Sequence, residues 1–400
     1  MVRIFYMLAF MLAGCSEAAA QSVYQFSPFK GSALEQYRHL QKDSLSYVKE
    51  DSCFYFEMYG TIMSFMCEYD RALNVFDKRN NAADSFSLDT TRYNRKNYRR
   101  IDAKKEILRL AAQHDVLLLN DIHHYPSPRV FLYDILDGLR KLGYKYIALE
   151  ALNVQDTLLG QRKYPVVGLT GVYTNEPTFG EVVRKALELG FTLIPYDYGF
   201  SNMKDRFRVS CLNILSSIKG VNLNKDKLIV FGGYGNIEEK TKNRLGYLLG
   251  DALNQDVLSV KSNVYAPHGL SHSNAEFKYL VNEFKIEVPS IIKHRTNIKG
   301  ECYLTDGTVD VTIVTPEAYL TKMYSILSYK KGVCIIPENI RAKVYYMTIT
   351  LDGELNGVPL YQVLVKPNSA QVFYYTAKNR RCILKLMDEH EGELYKLELL

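Results

Sequence analysis

The sequence predicts an α/β fold in which helices cover a mostly parallel central sheet. Between residues 103 and 262, short apolar runs alternate with helical segments, the order typical of such sheets. Residues 31–80 have a helical pattern without strand alternation, whereas residues 344–387 alternate apolar and polar side chains between turns. We therefore expect an N-terminal helical hairpin before the α/β domain and a C-terminal antiparallel β unit after it.

The N-terminal residues predict export and a lipid anchor. Arg3 precedes the apolar run Ile4–Leu12, which is too short to span a bilayer and is typical of a secretory signal. The run ends in Leu12-Ala13-Gly14-Cys15, which resembles a bacterial lipobox, where cleavage leaves an acylated Cys15 as the new N-terminus. Since two acyl chains anchor a protein stably, we expect a lipid-anchored protein of the bacterial cell envelope, with the outer membrane as the preferred membrane. An ordinary secretory signal with a chance cysteine is the alternative.

Changes in composition along the chain predict the domain boundaries. The expected segments are a lipoprotein signal peptide over 1–14, a tether over 15–30, a helical region over 31–100, the α/β domain over 101–335 and the β-rich C-terminal unit over 336–400.

Composition and charge narrow the class of protein. With 47% hydrophobic and 24% charged residues, the 400-residue chain resembles soluble globular domains, which excludes a wholly disordered or polytopic membrane protein. The net charge of +6 is spread over 50 basic and 44 acidic residues, so we expect no nucleic-acid partner. The basic segment 92–105 is interpreted as a solvated linker that leads into a helix. The cysteines after Cys15 lack metal-ligand spacing and are expected to be buried free thiols, although export permits disulfides.

Within the helical region, residues 54–78 resemble a single tetratricopeptide repeat. Gly60, Ala72 and Phe76 have the spacing at which small residues let two antiparallel helices approach closely. A lone repeat cannot bury its own apolar face, because such repeats need neighbours of the same kind. We therefore expect a helical hairpin docked on the main domain.

The α/β domain has well-marked elements. The expected strands are Val116–Leu119, Tyr146–Leu149, Phe191–Pro195, Leu228–Phe231 and Val257–Val260. The expected helices start at Ser127, at a capping box Thr178–Glu181, at residue 205 and at Asn236, the last one reaching Leu253. Residues 151–177 and 262–308 are expected to be long irregular insertions that act as lids. The expected C-terminal strands are Val344–Leu351, Tyr361–Lys366, Gln371–Thr376 and Cys382–Met387.

Polar residues follow each of the first four strands of this domain. In an open parallel sheet, ligands bind at the carboxyl ends of the strands, so these residues are the candidates for a functional pocket. They are Asp121, His123, His124, Glu150, Asp197, Tyr234 and Asn236. The alternative is that each is a cap or turn residue without a functional role.

These strand ends resemble the erythromycin-esterase/ChaN-like superfamily, which includes the TraB/TIKI-type proteins. Its members carry Gly-Glu-x-His after the first strand, a Glu after the second, and a Gly-x-Gly-His-like segment after a later strand. Here Asp121-Ile122-His123 stands at the first motif, Glu150 matches the second, and Tyr234-Gly235-Asn236 stands at the third. The resemblance covers about residues 103–262 and identifies the chain as a bacterial lipoprotein of this superfamily with a degenerate motif set.

The first functional hypothesis is a hydrolase of ester or amide bonds. His123 would act as general base on a water, and Glu150 and Asp121 would orient it. The backbone N–H groups of the glycine-rich helix start at 232–236 would stabilise developing charge. The residues expected to bind the ligand are His124, Asp197, Tyr234 and Asn236. A metal-assisted variant would use Asp121, His123, Glu150 and Asp197 as ligands of a divalent metal.

Two further hypotheses use the same scaffold without catalysis. One is a lipoprotein that binds haem, iron or another small molecule, with His123, Tyr125 or Tyr234 as an iron ligand. The other is a degenerate enzyme kept as an accessory protein. The departures from the superfamily motifs favour the latter, because an Asp is shorter than a Glu at position 121 and Asn236 cannot transfer a proton.

Overall fold

The computed structural model describes residues 31–42, 44–79, 93–262, 272–296, 303–305, 307–366, 370–376 and 378–399. The predicted signal peptide, Cys15 and the tether lie outside these residues. Among the helices of the described ranges, none has both the length and the apolar character needed to cross a membrane. In the described ranges, Cys67, Cys211, Cys334 and Cys382 are free thiols.

An eight-stranded, mostly parallel sheet forms the centre of the α/β domain, as predicted. Its strands are β1 (Tyr98–Asp102), β2 (Val116–Asn120), β3 (Tyr144–Leu149), β4 (Thr192–Pro195), β5 (Lys227–Gly232), β6 (Leu258–Ser262), β7 (Ser290–His294) and β8 (Val311–Val314). Their spatial order is β1-β7-β8-β6-β2-β5-β3-β4. The pairs from β8 to β4 are parallel, and β7 is antiparallel to both β8 and β1. Strands β2, β5, β3 and β4 are therefore neighbours whose carboxyl ends share one edge.

Helices precede the sheet, connect its strands and follow it. They are α1 (Ala33–Lys42), α2 (Ser44–Phe65), α3 (Tyr69–Phe76), α4 (Ala103–Ala111), α5 (Ser127–Lys141), α6 (Leu159–Arg162), α7 (Pro177–Glu188), α8 (Arg206–Ser217), α9 (Tyr234–Ile237), α10 (Leu245–Leu253), α11 (His272–Phe284), α12 (Ala318–Thr321) and α13 (Met323–Ile326).

The central strands are buried on both faces, which explains their continuous apolar sequences. In β2, Leu117 and Leu119 belong to the core that contains α5 and α7, whereas Val116 and Leu118 belong to the core that contains α8 and α10. Every residue of β2 is buried, as expected for a parallel strand covered by helices on both sides.

The predicted capping box at Thr178 is wrong, because Glu176 caps helix α7. The Glu176 carboxylate accepts hydrogen bonds from the N–H groups of Thr178 at 3.0 Å and Phe179 at 2.8 Å. Pro177 occupies the first helical position, where its missing N–H costs nothing. The Thr178 hydroxyl instead donates to Met323 Sδ at 3.7 Å.

Other predicted boundaries also need correction. The helix predicted from Asn236 to Leu253 is interrupted between α9 and α10, where Asn243 has a left-handed φ of 65°. The basic segment predicted as a linker contains β1, an edge strand whose exposed Arg99 and Arg100 protect the sheet edge from further pairing. The region predicted as irregular between 262 and 308 contains α11 and β7.

The segment 151–177, predicted as a lid, packs against the C-terminal part of the chain. Val167 N–H donates to the Asn356 carbonyl at 3.0 Å, and Val358 N–H donates to the Pro165 carbonyl at 2.9 Å. These backbone bonds hold the segment in place beside the C-terminal sheets.

Separate antiparallel sheets form the C-terminal part, as predicted. Their strands are β9 (Tyr329–Cys334), β10 (Tyr346–Leu351), β11 (Tyr361–Leu364), β12 (Gln371–Thr376), β13 (Cys382–Met387) and β14 (Glu393–Leu399). One sheet has the order β11-β10-β13-β14, and the other pairs β12 with β9. In the N-terminal part, a Cβ on Gly60 would lie 3.1 Å from the Ala72 carbonyl oxygen and 3.3 Å from Phe76 Cβ, so α2 and α3 are in close contact at this glycine.

Candidate functional site

The carboxyl ends of β2, β3 and β4 bring three carboxylates to one edge of the sheet, around two buried arginines. We call one group the Arg129 cluster; it consists of Asp121, His123, Arg129 and Glu176. We call the other the Arg206 cluster; it consists of Glu150, Asp197, Arg206 and Ser210. Because α5 follows β2 and α8 follows β4, each arginine lies in the first turn of a helix that starts at this edge.

In the Arg129 cluster, one guanidinium holds two carboxylates. Arg129 Nε and Nη2 donate to the two oxygens of Asp121, each at 2.8 Å, and Nη1 donates to Glu176 Oε2 at 3.1 Å. The Arg129 and Glu176 side chains are fully buried. Burial opposes ionisation of Asp121, but the charge of Arg129 and the hydrogen bonds from His123 and Arg129 outweigh it, so the pKa of Asp121 is well below its usual range. Asp121 is therefore a fixed carboxylate.

His123 is held by this carboxylate in one tautomer. Its Nδ1 lies 3.1 Å from Asp121 Oδ2, and because an ionised carboxylate only accepts hydrogen bonds, Nδ1 carries the proton. The ring stacks on Tyr173, with centroids 3.6 Å apart and an angle of 6° between the planes. The His123 carbonyl accepts hydrogen bonds from Arg129 Nη2 at 3.2 Å and from the Ser64 hydroxyl of α2 at 3.3 Å. When the ring is neutral, Nε2 is therefore its acceptor nitrogen.

In the Arg206 cluster one guanidinium also binds two carboxylates, but the pKa values of these two carboxyls shift in opposite directions. Arg206 Nε donates to Asp197 Oδ1 at 2.6 Å, Nη2 donates to Asp197 Oδ2 at 2.9 Å, and Nη2 also donates to Glu150 Oε1. The Ser210 hydroxyl adds a bond to Asp197 Oδ1 at 3.1 Å. Burial opposes ionisation of Glu150, but the charge of Arg206 and the hydrogen bonds from the Gly233 N–H and Arg206 lower its pKa overall. Burial raises the pKa of Asp197 despite Arg206, so Asp197 is the carboxyl that takes up a proton first.

The two clusters meet at the glycine turn that follows β5. A Cβ on Gly233 would lie 3.4 Å from Glu150 Oε2, 3.7 Å from Asn236 Nδ2 and 3.9 Å from His123 Nε2. The acceptor nitrogen of His123 therefore faces this turn together with Glu150 and Asn236. The Gly233 N–H donates to Glu150 Oε2 at 2.5 Å. Because this N–H is already bound to Glu150, it does not stabilise developing charge on a substrate, contrary to the prediction from the sequence.

The remaining predicted site residues have varied surroundings. Asn236 is buried and lies beside Glu150 at the turn. His124 stacks on Phe76 of α3, with ring centroids 3.4 Å apart. Tyr234 packs against the small apolar cluster that contains Tyr125. Asn120 links β2 to β6, because its Oδ1 accepts a hydrogen bond from the Ser262 N–H at 2.5 Å.

The donor set at this edge does not fit a divalent metal. Asp121 and Asp197 each bind a guanidinium through both oxygens, so an arginine occupies the space that a cation would take. Across the part of the chain that the structure describes, no group of three or more His, Cys, Asp or Glu residues has a metal-binding arrangement.

Sequence reasoning missed both arginines and the Glu176 cap. A signal for the arginines is their position: each lies at the start of a helix that directly follows a strand ending in a candidate carboxylate. The Glu176 cap could have been predicted because Glu176 directly precedes Pro177, and the residue before a proline at the first helical position is the N-cap.

The chain has weak structural similarity to solved bacterial toxin structures. No protein-family model and no curated protein matches the chain. A solved structure described as "Bacterial protein toxins" is similar, with 13% identity and a TM-score of 0.32, covering 65% of this chain and 57% of that one. A second, described as "Crystal structure of bacterial protein toxins", has 14% identity and a TM-score of 0.32, covering 64% of this chain and 57% of that one. RRSP, a MARTX toxin effector domain from Vibrio vulnificus CMCP6, has 13% identity and a TM-score of 0.27, covering 58% of this chain and 50% of that one. The chain thus spans little more than half the length of the first two structures.

Proposed function

We propose that this protein is a hydrolase of ester or amide bonds in which the Asp121–His123 pair acts as the general base. The observation that carries the proposal is the hydrogen bond between His123 Nδ1 and Asp121 Oδ2 at 3.1 Å, with Asp121 fixed in turn by Arg129. A base held in one tautomer by a buried carboxylate, with its other nitrogen facing a polar turn, is the arrangement that activates a nucleophile.

The proposed reaction uses water as the nucleophile. The water oxygen attacks the carbonyl carbon of the substrate while one of its protons passes to His123 Nε2. Asp121 stabilises the imidazolium that forms, because its carboxylate stays ionised beside it. When the C–O or C–N bond breaks, His123 returns the proton to the leaving alcohol or amine. This scheme needs no metal ion.

A panel of ester and amide substrates tests the proposal. We expect turnover by the wild type and a loss of about 10²- to 10⁴-fold in kcat/KM for His123→Ala, because a positioned base contributes that much. His390→Ala is the matched control, since His390 is exposed and lies outside both clusters. Turnover that survives in His123→Ala would show that the pair is not the base.

A ligand-binding function without catalysis is the second candidate. Asn236 favours it, because an amide can hold a ligand by hydrogen bonds but cannot transfer a proton. Absorbance spectra recorded during haemin titration test the haem-binding form of this candidate. A new Soret band in the wild type that is absent in His123→Ala, together with no turnover on the panel, would favour binding over hydrolysis.

We also propose that the protein is an exported, lipid-anchored member of the erythromycin-esterase/ChaN-like superfamily with a tetratricopeptide-like helical hairpin. The lipobox at Leu12–Cys15 supports the anchor, and the order of the three motifs at the ends of β2, β3 and β5 supports the superfamily. Cys15→Ala is expected to move the protein out of the membrane fraction or leave it uncleaved. An intact mass without lipid on the wild type would contradict the anchor.

A further inference from the structure

Two buried polar atoms near the glycine pair Gly232 and Gly233 have no hydrogen-bond partner among the described residues. They are the Tyr196 hydroxyl oxygen and Asn236 Oδ1. Tyr196 is fully buried and Asn236 is 2% exposed. A buried hydroxyl or amide that lacks a partner costs free energy, and two such atoms close to one polar turn point to a bound polar group there.

Both residues lie at the glycine turn where the two clusters meet. A Cβ on Gly232 would lie 2.1 Å from the Tyr196 hydroxyl, 2.9 Å from Glu150 Oε2 and 3.0 Å from Asn236 Nδ2. Only a glycine therefore leaves room for the Tyr196 hydroxyl here. Asn236 Nδ2 also lies 3.7 Å from a Cβ built on Gly233, and His123 Nε2 lies 3.9 Å from the same position. The Asn236 side chain is therefore near both glycines, Tyr196 is near Gly232, and His123 is near Gly233.

The remaining polar atoms at this point are already engaged. Glu150 Oε1 binds Arg206, and Glu150 Oε2 binds the Gly233 N–H. Burial raises the pKa of Tyr196 well above its usual value, with Glu150 and Asp197 adding to the effect, so the hydroxyl keeps its proton. Tyr196 therefore offers a hydrogen-bond donor, while Asn236 Oδ1 and His123 Nε2 offer acceptors.

We propose that Tyr196 and Asn236 hold the water that His123 activates. The water accepts a hydrogen bond from the Tyr196 hydroxyl and donates one to Asn236 Oδ1 and one to His123 Nε2. These three bonds are the usual number for a buried water. Tyr196 and Asn236 are positioning residues in this assignment, and they define the direction in which the water attacks the carbonyl carbon. The expected effect of Tyr196 and Asn236 on kcat rests on the hydrolytic function proposed above. The binding of the water itself does not depend on turnover.

The first test is a crystal structure of the wild-type protein at a resolution that shows ordered waters. We expect one water within hydrogen-bond distance of the Tyr196 hydroxyl, Asn236 Oδ1 and His123 Nε2, and its loss in Tyr196→Phe. Direct protein partners for Tyr196 and Asn236, or no water between them, would overturn the assignment. If the water is present but the wild type hydrolyses nothing, the hydrolytic function fails while the water site stands.

The second test measures kcat and KM separately on any substrate that the wild type hydrolyses. Tyr196→Phe is expected to lower kcat roughly three- to tenfold with little change in KM, the effect of one lost hydrogen bond on the attacking water. Tyr319→Phe is the matched control, because it removes another buried hydroxyl that lacks a partner among the described residues, on α12. An unchanged kcat in Tyr196→Phe, or an equal fall in Tyr319→Phe, would contradict the positioning role.

Discussion

The Arg129 cluster and the Arg206 cluster each place one buried guanidinium between two carboxylates, yet their surroundings differ. In the Arg129 cluster, both oxygens of Asp121 and both oxygens of Glu176 accept hydrogen bonds from buried protein groups, and Tyr69 completes the set with a bond of 2.7 Å to Glu176 Oε1. In the Arg206 cluster, the carboxylates are also bonded, but the neighbouring Tyr196 and Asn236 present atoms without partners among the described residues.

This difference assigns a separate task to each cluster. The Arg129 cluster is closed, so it can only hold His123 in one orientation and one tautomer. The Arg206 cluster borders buried polar atoms without partners among the described residues, so we assign to it the water that His123 would activate. A rigid support beside polar atoms that are fixed in advance is what a preorganised site requires.

Replacing each arginine in turn has the largest effect that we expect to differ between the two clusters. Arg129→Met leaves Asp121 and Glu176 buried without their counter-ion, and we expect it to lower the free energy of unfolding by about 3 to 5 kcal/mol. Arg206→Met should cost less, about 1 to 3 kcal/mol, because the raised pKa of Asp197 lets that carboxyl take up a proton in place of the lost charge. Urea denaturation at neutral pH measures both losses.

The control for these variants is Arg208→Met. Arg208 is 65% exposed and lies 3.5 Å from Asp205, so its loss should change stability by less than about 0.5 kcal/mol. Equal losses for Arg129→Met and Arg206→Met would show that the two clusters do not differ in the way proposed here.

The sheet was predictable because its central strands carry a simple signal. Buried parallel strands such as β2 and β5 are continuous apolar runs, and each lies within two residues of its predicted bounds. Strand β1 was missed because its arginines face solvent at the sheet edge, which gives it the composition of a linker. The break before α10 was missed because it depends on the left-handed conformation of Asn243, which the apolar periodicity on either side conceals.

The candidate site was predictable only as a set of strand ends. Parallel topology brings Asp121, Glu150 and Asp197 to one edge, and the sequence carries that information in its order of strands. The ion pairs of these carboxylates with Arg129 and Arg206 could not be predicted from the sequence, because a buried and an exposed arginine at a helix start have the same sequence pattern. Contacts such as Tyr69 with Glu176 depend on tertiary packing over more than one hundred residues, which no local pattern reports.

The hydrogen bond from Tyr69 to Glu176 offers a finer test of the closed cluster. Tyr69→Phe removes a donor to a buried carboxylate, and we expect it to lower the free energy of unfolding by about 1.5 to 3 kcal/mol. Tyr329→Phe is the matched control, because that buried hydroxyl has no partner in the described part of the chain and its loss should be nearly neutral. Similar losses in the two variants would mean that Tyr69 contributes through packing alone and that the Arg129 cluster is not closed from this side.

A third carboxyl pair, outside both clusters, has a lysine beside it in place of an arginine. Glu239 lies beside Asp310, and the only cation near both is Lys240, whose Nζ is 3.1 Å from Asp310 Oδ1 and 3.8 Å from Glu239 Oε1 among the described residues. Burial, followed by the hydrogen bond and charge of Asp310, raises the pKa of Glu239 to about 8. In the unfolded chain a glutamate titrates at about 4.3, so between these two pKa values the folded protein holds a proton that the unfolded chain has released. The free energy of unfolding should therefore fall as the pH rises from 5 to 8, by on the order of 2 kcal/mol after allowance for solvent screening.

The variant Glu239→Gln tests this pH dependence. It keeps a hydrogen-bond donor toward Asp310 but does not titrate, so its free energy of unfolding should be nearly constant over the same range. Glu238→Gln is the control, because Glu238 pairs with Lys261 at 3.1 Å and its loss should leave the pH slope unchanged. Urea denaturation at pH 5, 6, 7 and 8 measures the slopes. If Glu239→Gln keeps the slope of the wild type, Lys240 suffices to hold both carboxylates ionised, and a buried carboxyl pair in this fold does not need an arginine.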